Sequence, residues 1–140
     1  MTEKSTKLIY AQSGVIPYTF ENDELKILLI TSMNKKNRVI PKGIIEEGLS
    51  ARESALKEAY EEAGISGNIE GKKVGMYSYY KWGGRCEVKV YSCLVTEVFD
   101  EWPEKSDRKR AWYTPQKAVD HINNSDLKKL VKKFITDKLA

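Results

Sequence analysis

The spacing of apolar residues changes along this chain, and each change marks an element. Residues 25–31, Leu-Lys-Ile-Leu-Leu-Ile-Thr, are a near-continuous apolar run between Glu21-Asn22-Asp23 and Ser32-Met33-Asn34. So short a run suits a buried strand better than a helix. Residues 8–17 carry an earlier strand pattern in Leu8, Ile9, Val15 and Ile16, interrupted near Gly14. Glu21-Asn22-Asp23 reads as the turn joining the two strands. Arg38-Val39-Ile40-Pro41-Lys42-Gly43 is a short strand whose ladder weakens at Pro41, which has no backbone donor. Residues 73–80 and 85–98 are strand-like and flank a hairpin tip at Lys81-Trp82-Gly83-Gly84. In the second of these, Val88, Val90, Ser92 and Leu94 face one way, and Lys89, Tyr91, Cys93 and Val95 the other. Trp112-Tyr113 is a last short strand.

Helical spacing takes over in three places. Ser50 with Glu53 three residues on makes a capping box, and Gly64 is a left-handed stop, which predicts one helix between them. Thr114 as N-cap and Pro115 at the first helical position open a second. Ser125 caps a third, in which Leu127, Leu130, Val131, Phe134 and Ile135 form one core-facing stripe. Strands with one helix in the middle and helices at the end predict an α+β or mixed α/β fold in layers.

The chain has 140 residues, 41% hydrophobic and 31% charged, which is enough for one domain over residues 1–140 with a real core. No stretch approaches the roughly 18 apolar residues of a membrane span, and Met-Thr-Glu-Lys-Ser-Thr-Lys leads into no apolar run of signal-peptide length. The expectation is a cytoplasmic protein without a membrane partner, a monomer or homodimer. Cys86 and Cys93 fall on opposite faces of one strand with no second pair to bind zinc, so both are expected reduced. The net charge of +4 suits an anionic ligand without demanding nucleic acid. Lys128, Lys129, Lys132, Lys133 and Lys138 read as a solvated helix face, and His121 as a surface or cap residue.

The chemistry concentrates on the first predicted helix. Glu58, Glu61 and Glu62 stand at i, i+3 and i+4, side by side on one face. Adjacent carboxylates repel, and a hard divalent cation relieves that repulsion. Mg²⁺ takes a few carboxylates and fills its remaining positions with water and substrate phosphates. A solvated acidic face is the plainer alternative for an isolated Glu-Ala-Tyr-Glu-Glu.

The full string around those residues resembles the Nudix box: Gly, five residues, Glu, seven residues, then Arg-Glu-aliphatic-x-Glu-Glu-x-Gly-aliphatic. Gly43, Glu58, Glu61, Glu62, Gly64 and Ile65 match within residues 43–65. Leu49 stands where the pattern has Glu, Lys57 where it has Arg, and Ala59 where a bulkier aliphatic is usual. In that family the Glu and the Arg help brace the loop against the helix. Leu49 cannot accept a hydrogen bond, and Lys57 lacks the planar fork, so the brace is changed here. The resemblance implies an α/β/α sandwich around a mixed central sheet, with the box as a loop–helix–loop. It implies a hydrolase cleaving pyrophosphate bonds with Mg²⁺, or Mn²⁺ as a substitute. Glu58, Glu61 and Glu62 are then the catalytic and metal-binding residues, with a backbone carbonyl from Lys42 or Gly43. The general base is one of those three or an acid from a separate loop, for which Glu97, Glu101 and Glu104 are candidates.

Two further runs narrow the resemblance to Nudix proteins of the diphosphoinositol polyphosphate and diadenosine polyphosphate hydrolase type. They are Arg38–Gly43, and Leu94–Val98 with Trp102-Pro103-Glu104, Arg108, Arg110 and Trp112, so that about residues 10–122 are covered. The implied partner is a small phosphoanhydride held by Arg38, Lys42, Gly43, Lys81, Arg85 and Lys89. Tyr79, Tyr80 and Trp82 could stack on a nucleobase or simply pack across the hairpin. ADP-ribose, nucleoside triphosphates and RNA 5′ ends remain as alternative substrates. A binding module without turnover is the alternative class, favoured by Leu49 and Lys57.

Overall fold

A computed structural model describes residues 8–140, so the reading of the first seven residues lies outside it. The strands are β1 (Ile9–Glu21), β2 (Glu24–Thr31), β3 (Arg38–Val39), β4 (Lys42–Ile44), β5 (Ile65–Ile69), β6 (Gly75–Lys81), β7 (Gly84–Val98) and β8 (Arg110–Tyr113). The helices are α1 (Ala51–Ala63), α2 (Pro115–His121) and α3 (Ser125–Leu139).

β1 and β2 form a hairpin from Tyr18↔Ile27 to Glu21↔Glu24. Asn22 (φ 52°) and Asp23 (φ 66°) both take the left-handed conformation that a tight two-residue hairpin requires. β1 then pairs in parallel with β7 along ten positions, from Ile9↔Arg85 to Tyr18↔Leu94, while its other pairings are antiparallel. The sheet is therefore mixed. β1 does not break at Gly14, as its sequence suggests. The glycine serves a close crossing instead: a Cβ there would lie 2.5 Å from the Pro41 carbonyl oxygen and 2.7 Å from Lys42 Cβ.

That crossing belongs to a fork in the sheet. The edge of β1 that meets β2 at residues 18–21 meets β4 at residues 12–14. β2 leaves β1 and takes β3 as its partner, through Ile30↔Val39 and Thr31↔Arg38. The segment Arg38–Ile44 thus wedges between two diverging strands, with Ile40 fully buried at its centre. It breaks at Pro41, whose carbonyl instead accepts Val15 N–H at 3.1 Å. No sequence pattern predicts β5, because Ser66-Gly67-Asn68 has the composition of a turn. It pairs antiparallel with β7, with an irregularity between Ser66 and Gly67. At the β6–β7 tip, Trp82 (φ 57°) and Gly83 (φ 72°) make the turn.

The sheet lies between two apolar layers, which makes the expected sandwich. On one face Ala55, Ala59 and Ala63 of α1 pack on Val15, Leu28, Ile30, Tyr91 and Cys93. Alanine every fourth residue lets the helix sit close to the strands. On the other face Ala118, Val119 and Ile122 at α2, with Leu127, Val131 and Phe134 of α3, cover Ile16, Ile27, Leu29, Val88 and Val90. Cys86 and Cys93 are free and buried. The N-cap of α3 is Asn124, one residue earlier than expected: its Oδ1 accepts from the backbone of Asp126 and Leu127 at 3.0 and 2.9 Å. An amide oxygen reaches both orphan N–H groups, which leaves Ser125 inside the helix.

The capping box at Ser50 and Glu53 forms as the sequence predicts. The far end of α1 is held from outside. Gly64 turns left-handed (φ 66°), and Arg110 of β8 donates to the carbonyls of Ala63 (2.9 Å), Gly64 (3.1 Å) and Phe99 (2.7 Å). Its guanidinium lies 3.9 Å from the Trp102 ring centroid, and Trp102 Nε1 donates to the Glu62 carbonyl at 3.1 Å. The last turn of α1 carries no basic residue of its own, so Arg110 supplies the cation that the helix C-terminus favours. Arg110→Ala should therefore lower unfolding free energy by roughly 2–4 kcal/mol, because it removes charge-assisted bonds to three carbonyls at once. Chemical denaturation measures this, and a loss below about 0.5 kcal/mol would show the clamp to be incidental.

Candidate active site

The site gathers around Glu62, which is only 6% exposed. Its Oε1 accepts the backbone N–H of Lys42 at 3.1 Å, and its Oε2 lies 3.4 Å from Arg108 Nη2. Burial raises the proton affinity of this carboxylate, while Arg108 and Lys42 act against the rise. Arg108 is itself held in place. It donates to the Thr31 carbonyl at 3.0 Å and, through Nε, to Glu104 at 2.8 Å.

Glu58 lies one turn back along α1, against the loop. The Cβ that Gly43 lacks would collide with the Glu58 carboxyl group, so glycine is what admits that side chain. Among the described residues Glu58 has no ion-pair partner. Burial first, then the charges of Glu62, Glu61 and Glu104, push its pKa up to about 7. Glu61 lies 3.1 Å from Lys57 Nζ, and the same ammonium lies 2.7 Å from Glu46. Leu49 stands where the family has its bracing acid; the acid beside Lys57 comes instead from Glu46, three positions earlier.

Of the three distal acids, Glu104 alone influences the carboxylates of α1. Glu101 pairs with Lys105 at 2.7 Å, and Glu97 accepts from Ser66 Oγ at 3.3 Å. Among the described residues no three His, Cys, Asp or Glu side chains converge on one point as they stand. The donor set still fits a hard divalent cation: it is all carboxylate oxygen, it is crowded, and one member has no cation partner.

A cleft of about 390 Å³ opens beside Glu62 on the α2/α3 face of the sheet. Arg38, Lys42, Lys81 and Arg108 line it, with Tyr77, Tyr79, Asn34 and Asn37, and among the described residues no acid is in its walls. Lys42 Nζ lies 4.8 Å from the Tyr79 ring centroid, and Tyr79 donates to Gln12 at 2.8 Å. Burial lowers the pKa of Lys42, against the pull of Glu62. Tyr77 is buried at the cleft, and its hydroxyl has no hydrogen-bond partner among the described residues.

The structure thus brings Arg38, Lys42 and Lys81 to one cleft, and places Gly43 next to Glu58. Arg85 and Lys89 do not join the cleft. They alternate with Cys86, Val88 and Val90 along β7, so they project from the opposite face, and Arg85 pairs with Glu87 at 2.6 Å. Tyr80 is exposed, and Trp82 packs edge-on against Tyr10, so that of the three expected aromatics Tyr79 lines the cleft, beside Tyr77. His121 packs at a tilt against Tyr113, with ring centroids 4.8 Å apart, and contacts the Lys117 carbonyl at 2.7 Å. The contacts of Arg108 with Glu62 and of Glu46 with Lys57 have no local signal in the sequence, since each joins separate segments, although Arg108 lies in the run that resembles the family.

A NUDIX domain family model matches residues 12–134, and the chain belongs to that family. It is 31% identical over 131 residues to chloroplastic Nudix hydrolase 21 of Arabidopsis thaliana, covering 89% of this chain and 66% of that protein. It is 29% identical over 99 residues to human diphosphoinositol polyphosphate phosphohydrolase 3-alpha, covering 69% of this chain and 59% of that one. The chain therefore spans about two thirds or less of the length of these two relatives. Its fold matches a crystal structure of Caenorhabditis elegans Ap4A hydrolase with a TM-score of 0.77 at 20% identity, over 95% of this chain and all of that one. Other relatives carry mitochondrial names, and among the described residues no helix is long and apolar enough to cross a membrane.

The raised pKa of Glu58 has a consequence for stability. A folded-state pKa of about 7 lies above the ordinary value of 4.5, so the folded chain holds this proton more tightly than the unfolded one. The associated stability is complete below about 4.5 and is lost as pH climbs through about 7. In chelator, Glu58→Gln should gain stability relative to wild type across that window and hold a constant difference above it. Denaturant titrations at pH 5 and pH 8 test this, and an unchanged difference between the two would contradict the assigned environment.

Proposed function

We propose that this chain is a metal-dependent hydrolase that cleaves a phosphoanhydride bond in a substrate bearing several phosphates, of the dinucleoside polyphosphate or diphosphoinositol polyphosphate kind. One observation carries the reading. A crowded set of carboxylates on α1 adjoins a cleft that, among the described residues, is lined by four cations and no acid, and Glu62, Lys42 and Arg108 join the two. Family membership and the names of the relatives support the same chemistry.

Glu58, Glu61 and Glu62, with the carbonyl of Lys42 or Gly43, would hold Mg²⁺, or Mn²⁺ in its place. Such an ion supplies charge neutralisation at the phosphate oxygens and a more acidic attacking water. Phosphoryl transfer otherwise asks mostly for positioning. Arg38, Lys42 and Lys81 bind the phosphate chain in the cleft. Tyr79 steadies the Lys42 ammonium from below. Glu104, fixed by Arg108 at 2.8 Å, stands outside the α1 trio as the acid best placed to accept the proton of the attacking water.

Assays of Mg²⁺-dependent phosphate release test this with diadenosine polyphosphates, inositol pyrophosphates, nucleoside triphosphates and ADP-ribose. Glu61→Gln should fold normally and lose activity by about 100-fold or more, since Gln keeps the shape and loses the charge. Polyphosphate substrates should exceed ADP-ribose in kcat/KM at low salt, and the advantage should shrink as salt screens the cleft. Arg38→Ala and Lys81→Ala should each reduce kcat/KM for polyphosphates about tenfold or more, the worth of one charged contact to phosphate. Equal or better turnover of ADP-ribose would overturn the polyphosphate reading, and binding without turnover would make the chain a binding module.

A further inference from the structure

We infer that Glu46 is a positioning residue for the carboxylates of α1, acting on Glu61 through Lys57. The inference rests on the proposed metal site and adds a residue outside it.

Leu49 occupies the position where the Nudix pattern has its bracing acid, and it offers no acceptor. The loop compensates by presenting another acid. Glu46 N–H donates to the buried Ser54 Oγ at 3.0 Å, and the Glu46 carbonyl accepts Leu49 N–H at 3.0 Å. Gly48, at φ 87°, turns the chain between them. The capping box then fastens Ser50 to Glu53. The backbone of residue 46 is thereby tied to α1 and to the turn that follows it. Its carboxylate lies 2.7 Å from Lys57 Nζ, which also reaches Glu61 at 3.1 Å.

One ammonium has three donors and can serve two acids together. With Glu46 taking one donor, Lys57 is held between two acids and does not close fully on Glu61. Without Glu46, the whole charge of Lys57 is free to pair with Glu61 at i, i+4 on the same helix. Lys57 then competes with any cation that Glu61 is to bind. The Lys57–Glu61 pair also loses its tie to the loop, because the far end of the bridge no longer has an anchor.

The experiment follows the melting temperature of the full chain as Mg²⁺ alone is titrated at constant ionic strength. In wild type, Mg²⁺ should raise the melting temperature with a defined midpoint, and Glu61→Gln should abolish the response. Glu46→Gln should fold with nearly the wild-type melting temperature in chelator and shift the Mg²⁺ midpoint upward about tenfold, as loss of an outer partner does at metal sites. Glu46→Asp should shift it less, and adding Leu49→Glu to Glu46→Gln should return it toward wild type. Glu47→Gln, an exposed neighbour, should leave it unchanged. A wild-type response with a Glu46→Gln midpoint within twofold of wild type would overturn this inference and leave the metal site standing. No response in wild type would overturn both.

Discussion

Everything at this site depends on one buried carboxylate. Glu62 sits where burial works against its charge, and it stays useful only because two partners meet it there. Those partners come from different parts of the chain. Lys42 N–H belongs to the wedge segment, and Arg108 to the stretch before β8. The Glu62 carbonyl, meanwhile, accepts Trp102 Nε1. A single residue thus joins helix, wedge and loop. Removing one partner of a buried pair leaves a charge uncompensated, at roughly 3–5 kcal/mol. The arrangement therefore adds little net stability while fixing the relative placement of three segments.

The fork in the sheet explains how these segments meet at all. The carboxylates ride on α1 on one face, and the cationic cleft lies on the other. A continuous sheet would keep them apart. Where β1 and β2 diverge, the wedge brings backbone into the gap, and two successive residues use opposite faces. Lys42 sends its side chain over Tyr79 on the cleft side, while its N–H reaches Glu62. Gly43, next in the chain, faces α1 and admits Glu58 because it has no side chain. Gly14 allows the wedge to lie this close to β1.

Local chemistry was legible in the sequence, and long-range chemistry was not. The capping box, the Gly64 stop, the Asn22-Asp23 turn and the alternating faces of β7 each depend on residues within a few positions of one another. All are visible as patterns. β5 was hidden because its pairing with β7 overrides a turn-like composition. Gly14 was misread as a break because its reason lies 27 positions away, at Pro41. Charge groups Arg85 and Lys89 with the phosphate-binding residues, while strand alternation places them on the face opposite the cleft. Nothing local marks Glu46, and Arg108 stands out only within a run of family resemblance; the fold places one against Lys57 and the other against Glu62.

The net charge of +4 conceals the separation that gives the site its character. One set of walls is cationic without an acid, and the adjoining helix face is acidic with Glu58 unpaired among the described residues. A neutral ligand would leave both sets uncompensated. A polyanion alone would satisfy the cleft and be repelled by Glu58 and Glu61. A divalent cation alone would satisfy the helix and leave Arg38, Lys42 and Lys81 facing one another. A polyanion and a divalent cation together would answer both fields, and a cation held between two negative groups would raise the affinity of each for the other. On the proposed reading, this charge separation is what a phosphate-rich ligand carried with a divalent cation would match.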